Sequence, residues 1–287
     1  MAIIISILIF FIYSVSFAQF KQGSIDTVYS VSFGSGQAFG QSAIFFPKNI
    51  FGLPDTNARF NAPSSSEDQI CSIGLNGSII IGFKGKIVRD LPGKDFTVFE
   101  NAFEFLEGRI FSEPAIIEVS KDGIIFYQFP IDSLTLKGCS GTYPTNGNEN
   151  PYDPIRSGGN SYDLSEIGID SVIVIRITDV STILQNEKHP LYSPIVTGFD
   201  LDAIVGLHLQ DIEIVSSVHN EYVSSDIISE SEFVHYVNQG ETVSLYSLNG
   251  TLILSSKNGV IRFNQIGTYI LLFQNKNETK RKIIHIY

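Results

Sequence analysis

The sequence contains no Trp, one Met and only two Cys in 287 residues. Two Cys are too few for a four-Cys zinc site or for a scaffold held by several disulfides. A single bridge between Cys71 and Cys139 stays open, because separation along the chain does not say whether they meet. Charge is also scarce: Asp, Glu, Lys and Arg make up 17% of residues, with a balance of −11. An acidic chain gains nothing from releasing phosphate counterions, which excludes nucleic acid as an expected partner. Hydrophobic residues, at 43%, are too many for a disordered chain. Apolar runs are short. The longest, Ile3 to Tyr13, falls below the roughly 20 residues of a spanning helix. No segment carries a sustained helical period with caps. Catalytic signatures are missing too: there is no Gly-x-Ser-x-Gly elbow, no His-Glu-x-x-His helix and no P-loop. The Gly-rich stretch Gly34 to Gly40 misses the dinucleotide spacing by one residue, and no helix follows it. Of five His, only His189 precedes residue 208, so any Ser–His or Cys–His pair there depends on it. Its place before Pro190 in a polar loop reads as a solvated ring.

What the chain does have is 22 Phe, 12 Tyr, 24 Gly and 11 Pro, the composition of many strands joined by tight turns. Ser78 to Phe83 is a short apolar run bounded by Asn76-Gly77 and Lys84-Gly85. Asp95 to Glu100 alternates, with Phe96 and Val98 on one face. Ala115 to Val119 and Ile124 to Phe129 flank Ser120-Lys121-Asp122-Gly123, and Asp-Gly between apolar runs signals a hairpin. Ser171 to Thr178 and Ala203 to Leu209 read as further strands. Between Phe129 and Ser171, the stretch Cys139 to Asp163 holds Gly, Pro, Asn, Ser and Tyr with almost no aliphatic residues, a long surface loop of the kind that often carries function. Beyond a boundary near Leu209 to Ser225, Thr242 to Ser247 and Thr251 to Ser255 flank Leu248-Asn249-Gly250 as another hairpin. Gly267 to Phe273 and Arg281 to Tyr287 flank Asn275 to Glu278. The expected fold class is all-β: a jelly-roll β-sandwich followed by a small Ig-like β-sandwich.

At the N-terminus, the apolar run leads to Ser16-Phe17-Ala18 and then Gln19. That pattern predicts a signal peptide over residues 1–18, cut after Ala18, although its first residues lack Lys and Arg. No Cys follows the cut, so no lipoprotein anchor is expected. The expected address is secreted or cell-surface, with no transmembrane segment in the mature chain.

Two resemblances add to this reading. Val243 to Gly250, then Gly267-Thr268-Tyr269-Ile270-Leu271, then the basic end Lys280-Arg281-Lys282-Ile283-Ile284 resemble a type IX secretion C-terminal sorting domain of the Bacteroidetes. Such domains usually open on Tyr-Pro-Asn-Pro, whereas Ser224 to Tyr236 holds no Pro. The resemblance implies the type IX secretion machinery as partner and export through the outer membrane. Earlier segments resemble a family of bacterial cell-surface proteins with a galactose-binding-like jelly roll. They include Ile73 to Phe83, Asp95 to Phe103, Glu113 to Gly123, Gly158 to Leu164 and Gly198 to Ile204. That family implies a fold and a surface location but no established active site. The expected division is therefore a signal peptide over 1–18, the jelly-roll domain over 19–207, and a linker with the sorting domain over 208–287.

The residues with chemistry are mostly acids. Strand alternation places Asp200 and Asp202 on one side and Phe199 and Leu201 on the other. Neighbouring carboxylates repel unless a cation or donors lie between them. Glu100-Asn101 sits among Phe99, Ala102 and Phe103, where a carboxylate needs a partner. Glu100, Asn101, Asp200 and Asp202 are thus the candidate metal ligands. Their hard oxygens suit calcium, which the jelly-roll resemblance also implies as a structural ion. The alternative is that backbone N–H groups or Arg89, Arg109 or Arg176 hold these acids. For recognition, Tyr143, Tyr152 and Tyr162 are the candidate ligand-binding residues, offering aromatic faces to sugars from the loop. The leading functional reading is non-enzymatic recognition of a glycan or envelope component. The alternatives are a glycoside hydrolase using Glu100 with Asp200 or Asp202, and a structural or adhesive surface-layer component.

Overall fold

The computed structural model describes residues 20–106 and 108–211, and toward the C-terminus 224–225, 233–237, 242–247, 252–257, 259–263, 267–274 and 279–286. The expected signal peptide, the linker at 212–223 and the turns at 248–251 and 275–278 lie outside the described residues.

Fourteen strands build the first part of the chain. They begin with β1 (Lys21–Ser24), β2 (Thr27–Ser32), β3 (Cys71–Ser72), β4 (Ser78–Gly82) and β5 (Lys86–Arg89). Next come β6 (Phe96–Glu100), β7 (Phe103–Leu106), β8 (Arg109–Phe111), β9 (Ala115–Ser120) and β10 (Phe126–Gln128). The last four are β11 (Asn160–Tyr162), β12 (Ser171–Val172), β13 (Val174–Asp179) and β14 (Asp200–Asp211). One antiparallel sheet runs β11-β6-β14-β5-β12, with β1 and β3 also pairing β14. The other runs β10-β9-β13-β4-β2. Strands β7 and β8 form a separate hairpin. The fold class expected from the sequence, an all-β chain built as a sandwich, is the one observed.

The strands form where the pattern alternates. In β9 and β13, Ile117, Val119, Ile175 and Ile177 point inward, while Glu118 and Arg176 lie opposite each other on the outer face. Arg176 grips Glu118 with two N–H···O bonds of 2.6 Å and lies over the Phe126 ring. Phe96, Val98, Phe199, Leu201 and Ile204 of the facing sheet complete the core. Full burial of side chains of this size contributes about 1.5–3 kcal/mol each. The β9–β10 turn follows its sequence signal. The Asp122 carboxylate accepts the N–H groups of Ile124 and Ile125, and Gly123 takes positive φ.

Strand β14 departs from simple alternation. Asp200 through Leu207 are all buried, because Phe99, Ala203, Val205 and Leu207 make a second apolar layer behind the first sheet. The strand also runs to Asp211, four residues past the expected domain end. The stretch 171–179 is broken at Ile173 into β12 and β13, which lie in different sheets.

Seven strands follow: β15 (Ser224–Ser225), β16 (Phe233–Val237), β17 (Thr242–Ser247), β18 (Leu252–Ser256), β19 (Gly259–Phe263), β20 (Gly267–Gln274) and β21 (Thr279–Ile286). They form a five-stranded sheet, β15-β21-β20-β17-β18, and a β16–β19 pair. Among the described residues, only the β15–β21 ladder is parallel. Val243, Leu245, Tyr269, Leu271 and Ile284 form a core of their own with Ile261. Among the described residues, no helix is long and apolar enough to cross a membrane.

Candidate functional site

Three acids from distant parts of the chain converge where the two sheets meet. Glu100 ends β6, Glu113 precedes β9, and Asp200 opens β14. Each offers a carboxylate oxygen, and these oxygens lie within 4.8 Å of one another. All three residues are buried, Glu100 at 3% and Asp200 at 8% exposure. Among the described residues, no Lys, Arg or His pairs with them. The basic side chains engage Asp211, Glu166, Asp170, Glu149, Glu118 and Asp95 instead.

The partners of the three acids differ. Glu113 is well supplied: its Oε1 accepts the N–H groups of Thr197 and Gly198 and the Thr197 hydroxyl. Gly198 makes that approach possible. Its φ is +118°, and a Cβ there would come within 2.3 Å of the Gly74 backbone. Glu100 Oε1 accepts a long bond from the Asp200 N–H, at 3.3 Å, and the Ala102 N–H also favours the charged carboxylate. Glu100 Oε2 and Asp200 Oδ1 have no hydrogen-bond partner. Leaving such a buried acceptor unmet costs about 1–3 kcal/mol, and more for a charged group. Burial raises the pKa of all three, and neighbouring carboxylates, Asp179 among them, add to it. Glu100 is pushed well above the usual carboxylate range, Glu113 is raised, and Asp200 is pushed up to about 7.

Neighbouring acids are satisfied by the protein itself. Asp202 turns away from Asp200, because the register slips between Leu201 and Ala203. Its two oxygens accept the Asp55 N–H at 3.0 and 3.1 Å. Asn101 is locked to the Ser64 backbone in both directions, at 2.7 and 3.0 Å. Asp179 takes N–H bonds from Asn76, Ser181 and Phe199 and a hydroxyl bond from Ser181. Of the four expected metal ligands, the structure brings Glu100 and Asp200 together, adds Glu113, and sets Asn101 and Asp202 aside on backbone partners. None of the three arginines named beforehand holds these acids. The sequence signal for Glu113 is slight: an acid before Pro114 at the head of an apolar strand.

The three tyrosines occupy different environments. Tyr143 is half exposed at 50%, and its ring meets Phe60 edge to face, with centroids 6.5 Å apart. Tyr152 is half-buried against the apolar layer behind the first sheet. Tyr162 is not on an exposed loop. It belongs to β11, pairs with Phe96, and is 4% exposed. Its ring stacks on Phe96 at 5.2 Å and packs on Phe129 at 4.7 Å, and its hydroxyl donates to Gly138 O. An inward position in a three-residue strand makes it a core side chain.

The loop around Tyr143 is fixed at many points. Ser140 pairs with Ala115, Asn146 N–H reaches Ser157 O, and Gly147 N–H reaches Ala58 O. The Thr145 hydroxyl donates to the carbonyl of Glu100 at 2.6 Å, which ties the loop to the acid cluster. Cys71 and Cys139 are both buried and unbridged. His189 is half-buried, with Nε2 2.7 Å from Ser133 O. No known family model matches the sequence, and no curated protein matches it significantly. Its architecture is all-β, built of mostly antiparallel sheets and compatible with a β-sandwich.

Proposed function

We propose that this chain is an exported cell-surface protein whose sandwich domain recognises a glycan or another envelope component and performs no chemistry on it. The observation that carries this reading is the Tyr143–Phe60 pair, two exposed rings from two different loops, held edge to face where backbone bonds tie those loops together. A surface held in place before binding loses little entropy when it binds. Aromatic faces suit the C–H faces of sugars. The hydrolase alternative needs carboxylates that touch a glycosidic bond. Glu100, Asp200 and Asp202 are buried instead, which favours binding over hydrolysis.

Export rests on the N-terminal pattern and on the likeness of the C-terminal segments to a type IX sorting domain. The pairing of β17 with β18 and of β20 with β21 agrees with the strand order that likeness implies. The binding claim is tested on a glycan array with the full chain. Binding is expected to fall at least tenfold in Tyr143→Ala and in Phe60→Ala, with unchanged melting temperature. No binding above background ends the glycan version.

A further inference from the structure

We infer that Glu100, Glu113 and Asp200 hold one calcium ion that fastens the two sheets of the sandwich to each other. The inference is independent of what the surface recognises. Two observations meet here. The first is geometric: one oxygen from each residue lies within 4.8 Å of the others. That is the spread allowed around a common centre about 2.3–2.6 Å from each, the calcium–oxygen distance. The second is the lack of partners. Glu100 Oε2 and Asp200 Oδ1 belong to side chains more than nine-tenths buried, and neither oxygen has a hydrogen bond, although the Ser72 hydroxyl lies beside Asp200. Native interiors leave few such atoms unmet, and two in one acid cluster point to a ligand that both share.

Comparison within the molecule sharpens the point. Asp179 and Asp202 are equally buried, yet their oxygens are taken up by N–H and hydroxyl donors. A second acid group, Asp90, Asp95 and Asp163, has its own protein answer. There Asp95 meets His208 at 2.8 Å and accepts the N–H groups of Leu91 and Leu164. Among the described residues, only the Glu100 cluster combines three carboxylates, no basic partner and unmet oxygens. The donors are all hard oxygens, which select calcium, magnesium or manganese over soft-ligand metals. A buried all-protein set favours calcium, because magnesium gives up its water reluctantly.

The ion would join β6 and β14 of one sheet to the segment entering β9 of the other. Through the Thr145 bond to Glu100 it would also steady the loop that presents Tyr143.

The test uses the full chain, stripped with chelator and then titrated with calcium by calorimetry. One ion per chain is expected to bind. Free calcium a hundredfold above the dissociation constant should raise the melting temperature by about 5–10 °C. Glu113→Gln should abolish both the heat and the shift. Should that variant fail to fold, Glu100→Gln serves in its place, and the wild-type titration stands alone as a measurement. Asp202→Asn should destabilise but keep the calcium response. The proposal is overturned by a wild-type melting curve that chelator and calcium leave unchanged, or by a full response in Glu113→Gln. An equal shift from magnesium at the same concentration overturns the assignment to calcium.

Discussion

Asp200 shows what burial does to a single side chain. Desolvation first, and then the nearby Glu113 charge, push its pKa up to about 7, against about 3.9 for a free Asp. In the ion-free protein, the folded state keeps a proton that the unfolded chain releases between these values. Stability is therefore highest below about pH 4 as far as this group is concerned, and is lost as pH rises toward about 7. With chelator present, the melting temperature should be higher at pH 5 than at pH 7.5, and Asp200→Asn should flatten that slope. A bound cation requires the ionised form, so calcium should protect more strongly at pH 7.5 than at pH 5. A chelated protein with no slope over this range would contradict the raised pKa. The cysteines give a second prediction at this scale. Burial pushes the Cys71 thiol up to about 12 and the Cys139 thiol up to about 11. The thiolate is the reactive species, so neither should react with iodoacetamide at pH 8 in the folded chain. Mass spectrometry should find no adduct before unfolding and two after it.

At the scale of elements, β11 illustrates how a short strand conceals its role. Three residues pair it with β6, and the register sets Tyr162 opposite Phe96 inside the sandwich. Tyr162→Ala should cost about 3–5 kcal/mol in chemical denaturation, the range for removing a large buried aromatic ring. Tyr143→Ala, half exposed on its loop, should stay within about 0.5 kcal/mol of the parent. Equal costs at the two positions would contradict the placement of Tyr162 in the core. The hairpin of β9 and β10 is the opposite case. Its turn is written locally, in Ser120 to Gly123, and the side chain of Asp122 makes the bonds that the spacing implies. Local turn chemistry is legible in a sequence because donor and acceptor are only a few residues apart.

For the whole molecule, the proposed route out of the cell makes a prediction independent of the acid cluster. Material recovered from the surface of the native host should begin at Gln19 and end upstream of Thr242, read by mass spectrometry of terminal peptides. Recovery of an intact Tyr287 on the surface-attached form would rule out removal of a sorting tail. The two described cores also bear on handling of the chain. Val243, Leu245, Tyr269 and Leu271 bury against each other with Ile261 and Ile284, apart from the core that Phe96, Phe199 and Ile175 share.

The sequence by itself determined the all-β class and the positions of strands with clear alternation or turn signals, such as Ser78–Gly82 and Gly267–Gln274, but not the strands before Ser78 or the short β11. Alternation and turn residues act over a few positions, so a linear reading captures them. The meeting of Glu100, Glu113 and Asp200 was decided by the tertiary structure. The first and last are 100 residues apart and touch only because β6 pairs with β14. The same holds for the parting of Asp200 from Asp202. Alternation alone puts both on one face, but the slip in register between Leu201 and Ala203 carries Asp202 to the Asp55 N–H. Burial on both faces of β14 is likewise a property of layers, not of the strand. Which carboxylates lack a partner depends on every neighbour in the packed interior, and those neighbours are assembled only when the sheets close on each other.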